Sequence, residues 1–168
     1  KQAVRVMPSN DLFVVGNTSF NEKKVYITDS GFFNLFTFPL LRGNAATVLK
    51  DPNSVVLTET SAKKYFGSVA NAMGKVMEMD KQFQLKVTGV AKDVPSDSHL
   101  DFDMVVPIEI YTHNDGFNGW MNNRLFVYVL LNEHTNVAQL EKKFAPFVTK
   151  YMGDELKQNG FSFSLSLT

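Results

Sequence analysis

Runs of alternating apolar and polar residues dominate this chain, and helical spacing replaces them in only three places. Ala3 to Met7 reads as a first strand, stopped by Pro8-Ser9-Asn10. Leu12 to Val15, a turn signal at Gly16-Asn17, and Lys24 to Thr28 predict an antiparallel hairpin with a loose loop. The most informative run follows, VYITDSGFFNLFTFPLLRG from Val25 to Gly43. It opens as a strand of β-branched and aromatic residues. Asp29 and Ser30 then offer side-chain oxygens to cap a helix of about two turns. Phe32, Phe33 and Phe36 would cover one broad face of that helix, and Pro39 lies where a helix cannot continue. So many aromatics in so short a helix must wedge between a sheet and something else. The run therefore reads as a structural junction.

Beyond it, Asp51-Pro52-Asn53 predicts a turn before the strand Ser54 to Leu57. Thr58 is placed to cap a short helix with Glu59 in its first turn, Ala62, Tyr65 and Phe66 on its apolar side, and Gly67 at its end. Val76 to Met79 and Phe83 to Val90 predict a hairpin closed tightly at Asp80-Lys81. Leu100 to Ile108 reads as a strand ending at or just after Pro107. The nearly all-apolar strand Leu125 to Leu131 is expected at the centre of its sheet. Asn136 to Gln139 resembles a capping box and opens the longest helix, with Val137, Leu140, Phe144, Phe147 or Val148, and Tyr151 at helical spacing. Pro146 inside that pattern predicts a kink or break. Phe161, Phe163, Leu165 and Leu167 alternate with serines and read as a strand still in progress at Thr168. Since the chain also opens on Lys1, the expectation is an excised fragment of a longer protein.

The element order predicts an α+β fold. An outer α+β subdomain is expected from both chain ends, residues 1–43 and 99–168, with a β-rich subdomain, residues 44–98, inserted between them.

Composition narrows function mainly by exclusion. Seventeen basic and seventeen acidic residues cancel, and no basic run is present, which argues against a nucleic-acid partner. The chain has no cysteine, so disulfides, thiolate metal sites and a Cys nucleophile are excluded. No apolar run approaches the roughly twenty residues a membrane-spanning helix needs.

Candidate chemistry is sparse. His99, Asp101 and Asp103 would project from one face of a strand, but three ligands along one strand span too far for a compact metal site. Asp93, Asp97 and His99 beside Ser96 and Ser98 lie within one loop, whereas a hydrolytic triad draws on separate elements. No phosphate-binding glycine pattern occurs. Met73, Met77 and Met79 could form an adaptable surface, but the alternation of the last two suits a core. Trp120, alone in a polar loop, is a candidate partner contact or a buried anchor. No catalytic, cofactor or metal residue is assigned.

The linked runs VYITDSGFFNLFTFPLLRG, NSVVLTETSAKKYFG, AMGK, VTGVAKDVPSDSHLDFD and LFVYVLL, in that order, resemble the MacB-like periplasmic core domain. That domain belongs to permease subunits of ABC transporters with FtsX-like membrane domains, and the wording of the motifs is similar to permeases of Bacteroidetes-type Gram-negative bacteria. The resemblance implies a domain lying between two transmembrane helices on the periplasmic side of the inner membrane. It also implies no catalytic centre or cofactor, a separate cytoplasmic ABC ATPase subunit, a second permease copy, and a cargo or periplasmic partner. The competing expectation is a stand-alone periplasmic module for a peptide or small ligand.

Overall fold

A computed structural model of the chain describes residues 2–111 and 124–168. Its eight strands form one sheet. The first two, β1 (Gln2–Val15) and β2 (Thr18–Thr28), make a long hairpin in which Val15 faces Thr18 across Gly16-Asn17. Pro8 does not stop β1. The register shifts between Ser9 and Asp11, and the second edge of β1 pairs only at residues 2–6 and 13–14. Pro8 thus lies beside a bulge where that edge has no described partner, a setting that tolerates proline within a strand.

α1 (Phe32–Leu35) is a single turn, shorter than the two turns expected, and no side chain caps it. Asp29 is otherwise engaged. Its carboxylate accepts the Arg5 amide at 2.7 Å and the Arg5 guanidinium Nη2 at 2.6 Å, tying the end of β2 back to β1. β3 (Leu40–Arg42) follows, then β4 (Ser54–Thr58) and α2 (Glu59–Phe66). α2 begins and ends as its sequence signals require. Thr58 accepts from the Ser61 amide, Glu59 lies in the first turn, and Gly67 closes the helix at φ +77°. A further one-turn helix, α3 (Val69–Ala72), is capped by Ser68. β5 (Val76–Met79) and β6 (Phe83–Ala91) form the expected hairpin.

Asp80 and Lys81 both adopt positive φ, 53° and 56°, the torsions of a primed turn that favours Asn-Gly. A side chain in that conformation costs about 1–2 kcal/mol. Lys81→Gly is therefore expected to stabilise the fold by about 0.5–1 kcal/mol after the entropy of glycine is deducted. A higher urea midpoint at unchanged slope would show it; an unchanged or lower midpoint would refute it.

The strand Leu100 to Ile108 is shorter than expected. β7 (Met104–Pro107) leads into a 3-10 turn at Ile108–Tyr111, and residues 99–103 run as an irregular segment. Leu100 and Phe102 are buried nonetheless.

Following the pairings, β2 lies parallel to β7, β7 antiparallel to β4, β4 parallel to β6, β6 antiparallel to β5, and β5 antiparallel to β1. β1 is already paired with β2, so the six strands close into a ring. Alternation sorts their side chains between two cores. Phe13, Val25, Ile27, Val55, Leu57, Met77, Met79, Leu85, Val87, Met104 and Val106 form the first, with Ala62 of α2 and Ala72 of α3 packed among them. Tyr26, Val56, Val105 and Ala91 face the other way, into a second core built around α1. Residues 44–98 therefore do not carry a sheet of their own. β4 pairs with β7 and β5 with β1, so the strands of the middle segment complete a ring begun by strands on either side of it. Periodicity identifies strands and faces, but it does not say which strand will be the neighbour.

β8 (Phe126–Leu130) is an edge strand rather than a central one. It pairs with β1 through Gln2 to Val6, and its outer edge carries no strand among the described residues. Phe126 is 61% exposed and Leu130 55%. α4 (Val137–Glu141) starts at Asn136, which accepts the Gln139 amide at 3.0 Å. α5 (Phe144–Asn159) follows after a break at Lys142-Lys143. Pro146 sits in the first turn of α5, where its missing N–H has no helical partner to lose, so the helix breaks before Pro146 rather than at it. The buried stripe of α5 is Val148, Met152 and Leu156, whereas Val137, Phe147 and Tyr151 are exposed. Residues 161–168 form no strand; Phe163 packs on that stripe, and the Leu167 amide donates to Glu141 at 2.9 Å.

Candidate functional site

The aromatic residues of the Val25–Gly43 run meet in one place. Phe32 is fully buried and lies at the centre of the group, 5.2 Å from Phe33, 5.0 Å from Phe36, 5.6 Å from Phe102 and 6.5 Å from Tyr26 between ring centroids. It stacks on Phe38 at 5.9 Å with the planes 9° apart. Most of the other contacts are edge-to-face, the arrangement that ring quadrupoles favour. Phe36 reaches outward to Tyr128 of β8 at 5.0 Å, and His99 lies 5.9 Å from the same tyrosine. The Tyr26 hydroxyl accepts the Asp101 amide at 3.1 Å, and burial pushes the Tyr128 phenol up. One turn of helix thus joins β2, β8 and the irregular segment before β7.

Of the predicted residues, Phe32 and Phe33 are buried, Phe36 is half-buried and Pro39 is exposed. The Pro39 carbonyl accepts the Lys92 amide at 2.9 Å, and β3 continues from there along β6, with Leu40 opposite Ala91. Phe38, Phe102, Tyr26 and Tyr128 also belong to the group, and sequence reading had not gathered them. Phe102 was legible as the apolar partner of Leu100 in an alternating run, but nothing local placed it against Phe32. Trp120 lies outside the described residues.

The rejected chemistries resolve into structural roles. Asp101 pairs with Lys24 at 2.7 Å, and the Asp103 amide donates to the Lys24 carbonyl at 2.7 Å. Burial raises the Asp103 carboxyl. His99 packs on Tyr128, so the His99 and Asp101 side chains have separate partners and Asp103 is tied through its backbone. Asp93 accepts from the Thr60 amide at 2.9 Å and hydroxyl at 2.8 Å, securing the start of α2. Ser98 accepts the Leu100 amide. Met77 and Met79 are buried in the ring core, and Met73 packs against it. Among the described residues no group of three His, Asp or Glu side chains is placed to hold a metal.

One buried charge is well satisfied. Glu22 is 7% exposed and accepts from Tyr65 at 2.5 Å and Lys64 at 2.7 Å. Burial, and then the Glu22 carboxylate, push the Tyr65 phenol well above its ordinary value. Lys64 also lies 4.0 Å from the Phe20 ring centroid. This pairing anchors α2 to β2 and leaves no acid or base poised for reaction.

The sequence profile of the MacB-like periplasmic core domain matches residues 1–147. The chain belongs to this family. Similar solved structures agree in fold. A domain of a protein named as a permease from Porphyromonas gingivalis is 21% identical, with a TM-score of 0.78 over 93% of this chain and 72% of that one. The periplasmic region of MacB from Actinobacillus actinomycetemcomitans is 20% identical, with a TM-score of 0.66 over 95% and 75% of the two chains. The extracellular domain of the noncanonic ABC-type transporter YknZ from Gram-positive bacteria is 18% identical, with a TM-score of 0.66 over 91% and 76%. No curated protein sequence matches the chain. MacB-like periplasmic core domains are periplasmic domains of ABC transporter permeases. Among the described residues no helix is long and apolar enough to cross a membrane.

Proposed function

We propose that this domain is the non-catalytic extracytoplasmic part of an ABC transporter permease that passes ATP-driven motion of the membrane domain to a cargo or periplasmic partner. The match of residues 1–147 to the MacB-like periplasmic core domain carries this reading. In it, the permease sits in the inner membrane, acts as a dimer, and works with a cytoplasmic ATPase subunit. The same match favours a permease domain over a stand-alone ligand-binding module.

The fold supplies a physical basis for such a relay. β1 is 14 residues long, about 45 Å when extended, and pairs with β8 at one end and β5 at the other. A ring of six paired strands resists bending, because moving one strand breaks hydrogen bonds to both neighbours. The Phe32 group then clamps β8 and the segment before β7 to this ring, and Pro39 limits torsion where the chain passes to β3. Replacing Pro39-Leu40 with Gly-Gly in the full-length transporter is expected to leave ATPase turnover largely intact while reducing transport. Equal transport by a normally expressed, folded variant would sink the role of this junction in coupling.

A further inference from the structure

β8 lacks the features by which edge strands are usually protected. From Leu125 to Leu131 the sequence has no charged residue and no proline, and the pairing with β1 runs in unbroken register. Among the described residues no strand lies on its outer edge, so a row of backbone N–H and C=O groups has no ladder partner there. Side chains are open on both faces, Phe126 and Leu130 on the side of Tyr128, Val127 and Val129 on the other. An edge that is apolar, regular and unguarded is a template for another strand.

The segment after α5 has the complementary need. Phe161, Phe163, Leu165 and Leu167 alternate with three serines, the pattern of a strand with one buried face. Its seat beside α4 and α5 uses Phe163, on the α5 stripe, and the Leu167 amide, on Glu141, and leaves Phe161 and Leu165 exposed. The chain connection also fits. A parallel pair needs a crossover of a dozen or more residues, usually helical, and α4 and α5 lie between β8 and this segment. The 16 residues of α5 span about 24 Å, enough to carry the chain back past the roughly 17 Å of the five-residue β8. A second copy of the chain suits the edge less well. The four exposed side chains of β8 offer on the order of 400 Å², about half of the roughly 800 Å² per partner that a stable complex buries. A tethered segment needs less area, because its effective concentration is set by the connection.

We propose that residues 161–167 dock as a strand on the outer edge of β8, parallel to it, with α5 as the crossover. Phe161, Phe163, Leu165 and Leu167 then share the face of Val127 and Val129, Phe163 stays on the α5 stripe, and the serines take the face of Phe126 and Leu130. The Leu167 amide gives up Glu141 in the process. Docked in this direction, the segment ends beside Leu130, which faces Gln2 of β1. Both ends of the domain thus leave the sheet side by side, and a load on either reaches the Phe32 group through Tyr128 and Phe36. The pairing adds to the relay proposed above but does not rest on it, since it requires no transporter.

The test is NMR of the unaltered chain. Expected are strand-type carbon shifts across residues 161–167, slowed amide exchange at alternate positions, and cross-strand contacts to residues 126–130 in parallel order. The absence of cysteine allows a second reading by paired substitution. Phe126→Cys with Ser162→Cys, and Leu130→Cys with Ser166→Cys, should form a disulfide within one chain. The crossed pairs, Phe126→Cys with Ser166→Cys and Leu130→Cys with Ser162→Cys, should not, because parallel strands hold those Cα atoms beyond the roughly 7 Å limit of a disulfide. Leu130→Cys with Ser164→Cys detects a slip of two residues, which preserves the face and the direction and supports the docking equally. Unstructured shifts throughout residues 161–167, antiparallel contacts, linking of the crossed pairs, or disulfides that join two chains would overturn it. None of these measurements reads transport, so failure of the permease reading would leave them unmoved.

Discussion

Phe32→Ala is expected to cost about 3–5 kcal/mol, the range for emptying a packed aromatic site. Phe32 is fully buried and touches five other rings, so its removal opens a cavity that no single neighbour can refill. At about 2–4 °C per kcal/mol for a domain of this size, the melting temperature should fall by roughly 6–20 °C. Phe33→Ala should cost nearly as much, since Phe33 is 3% exposed, while the half-buried Phe36 should cost less. Thermal denaturation of the three variants checks the order. If Phe36→Ala proved the most damaging, the centre of the group would lie at Tyr128 and not at Phe32. If Phe36→Ala instead kept its melting temperature and lost transport in the full-length protein, Phe36 would be a partner contact.

Gly43→Ala should be comparably severe, for a different reason. Gly43 adopts φ +96°, which costs a side chain about 1–2 kcal/mol. An added Cβ would also lie 2.6 Å from Val48 Cγ1 and 2.8 Å from the Thr88 carbonyl oxygen. The first neighbour is buried and the second is backbone, so neither can give way cheaply. Thr88 is itself held, its hydroxyl donating to the Val48 carbonyl at 2.5 Å. Overpacking adds about 1–3 kcal/mol, for a total of about 2–5 kcal/mol. Gly67→Ala provides the control, because it has φ +77° but open space around its Cβ. Urea denaturation should separate the two variants by the clash alone. Equal losses would mean that the β3–β6 crossing relaxes and that only the torsion matters.

These two sites show how far local pattern reaches. The wedge was legible because three phenylalanines in five residues, bounded by Asp29 and Pro39, cannot be left in water. The Thr58 cap, the Gly67 stop, the tight connection at Asp80-Lys81 and the buried alternation of Met77 and Met79 were legible for similar reasons. Each depends on residues within a few positions of one another, where backbone torsion and face alternation follow from the side chain itself.

What lay beyond local pattern was partnership. The apolar run at residues 125–131 reads like a central strand, yet β8 is an edge, since composition records how apolar a strand is and not how many neighbours it has. Residues 44–98 alternate like a self-contained sheet, but their free edges find β7 and β1 before they find each other. Asp29 has the chemistry of a cap, and the guanidinium of Arg5, 24 residues away, claims it instead. The sequence alone therefore determined which residues turn, which cap and which face inward, because those properties are settled by neighbours in the chain. Only the tertiary structure decided which edges pair and which charges meet, because those outcomes rest on competition among partners that are distant in sequence and adjacent in space.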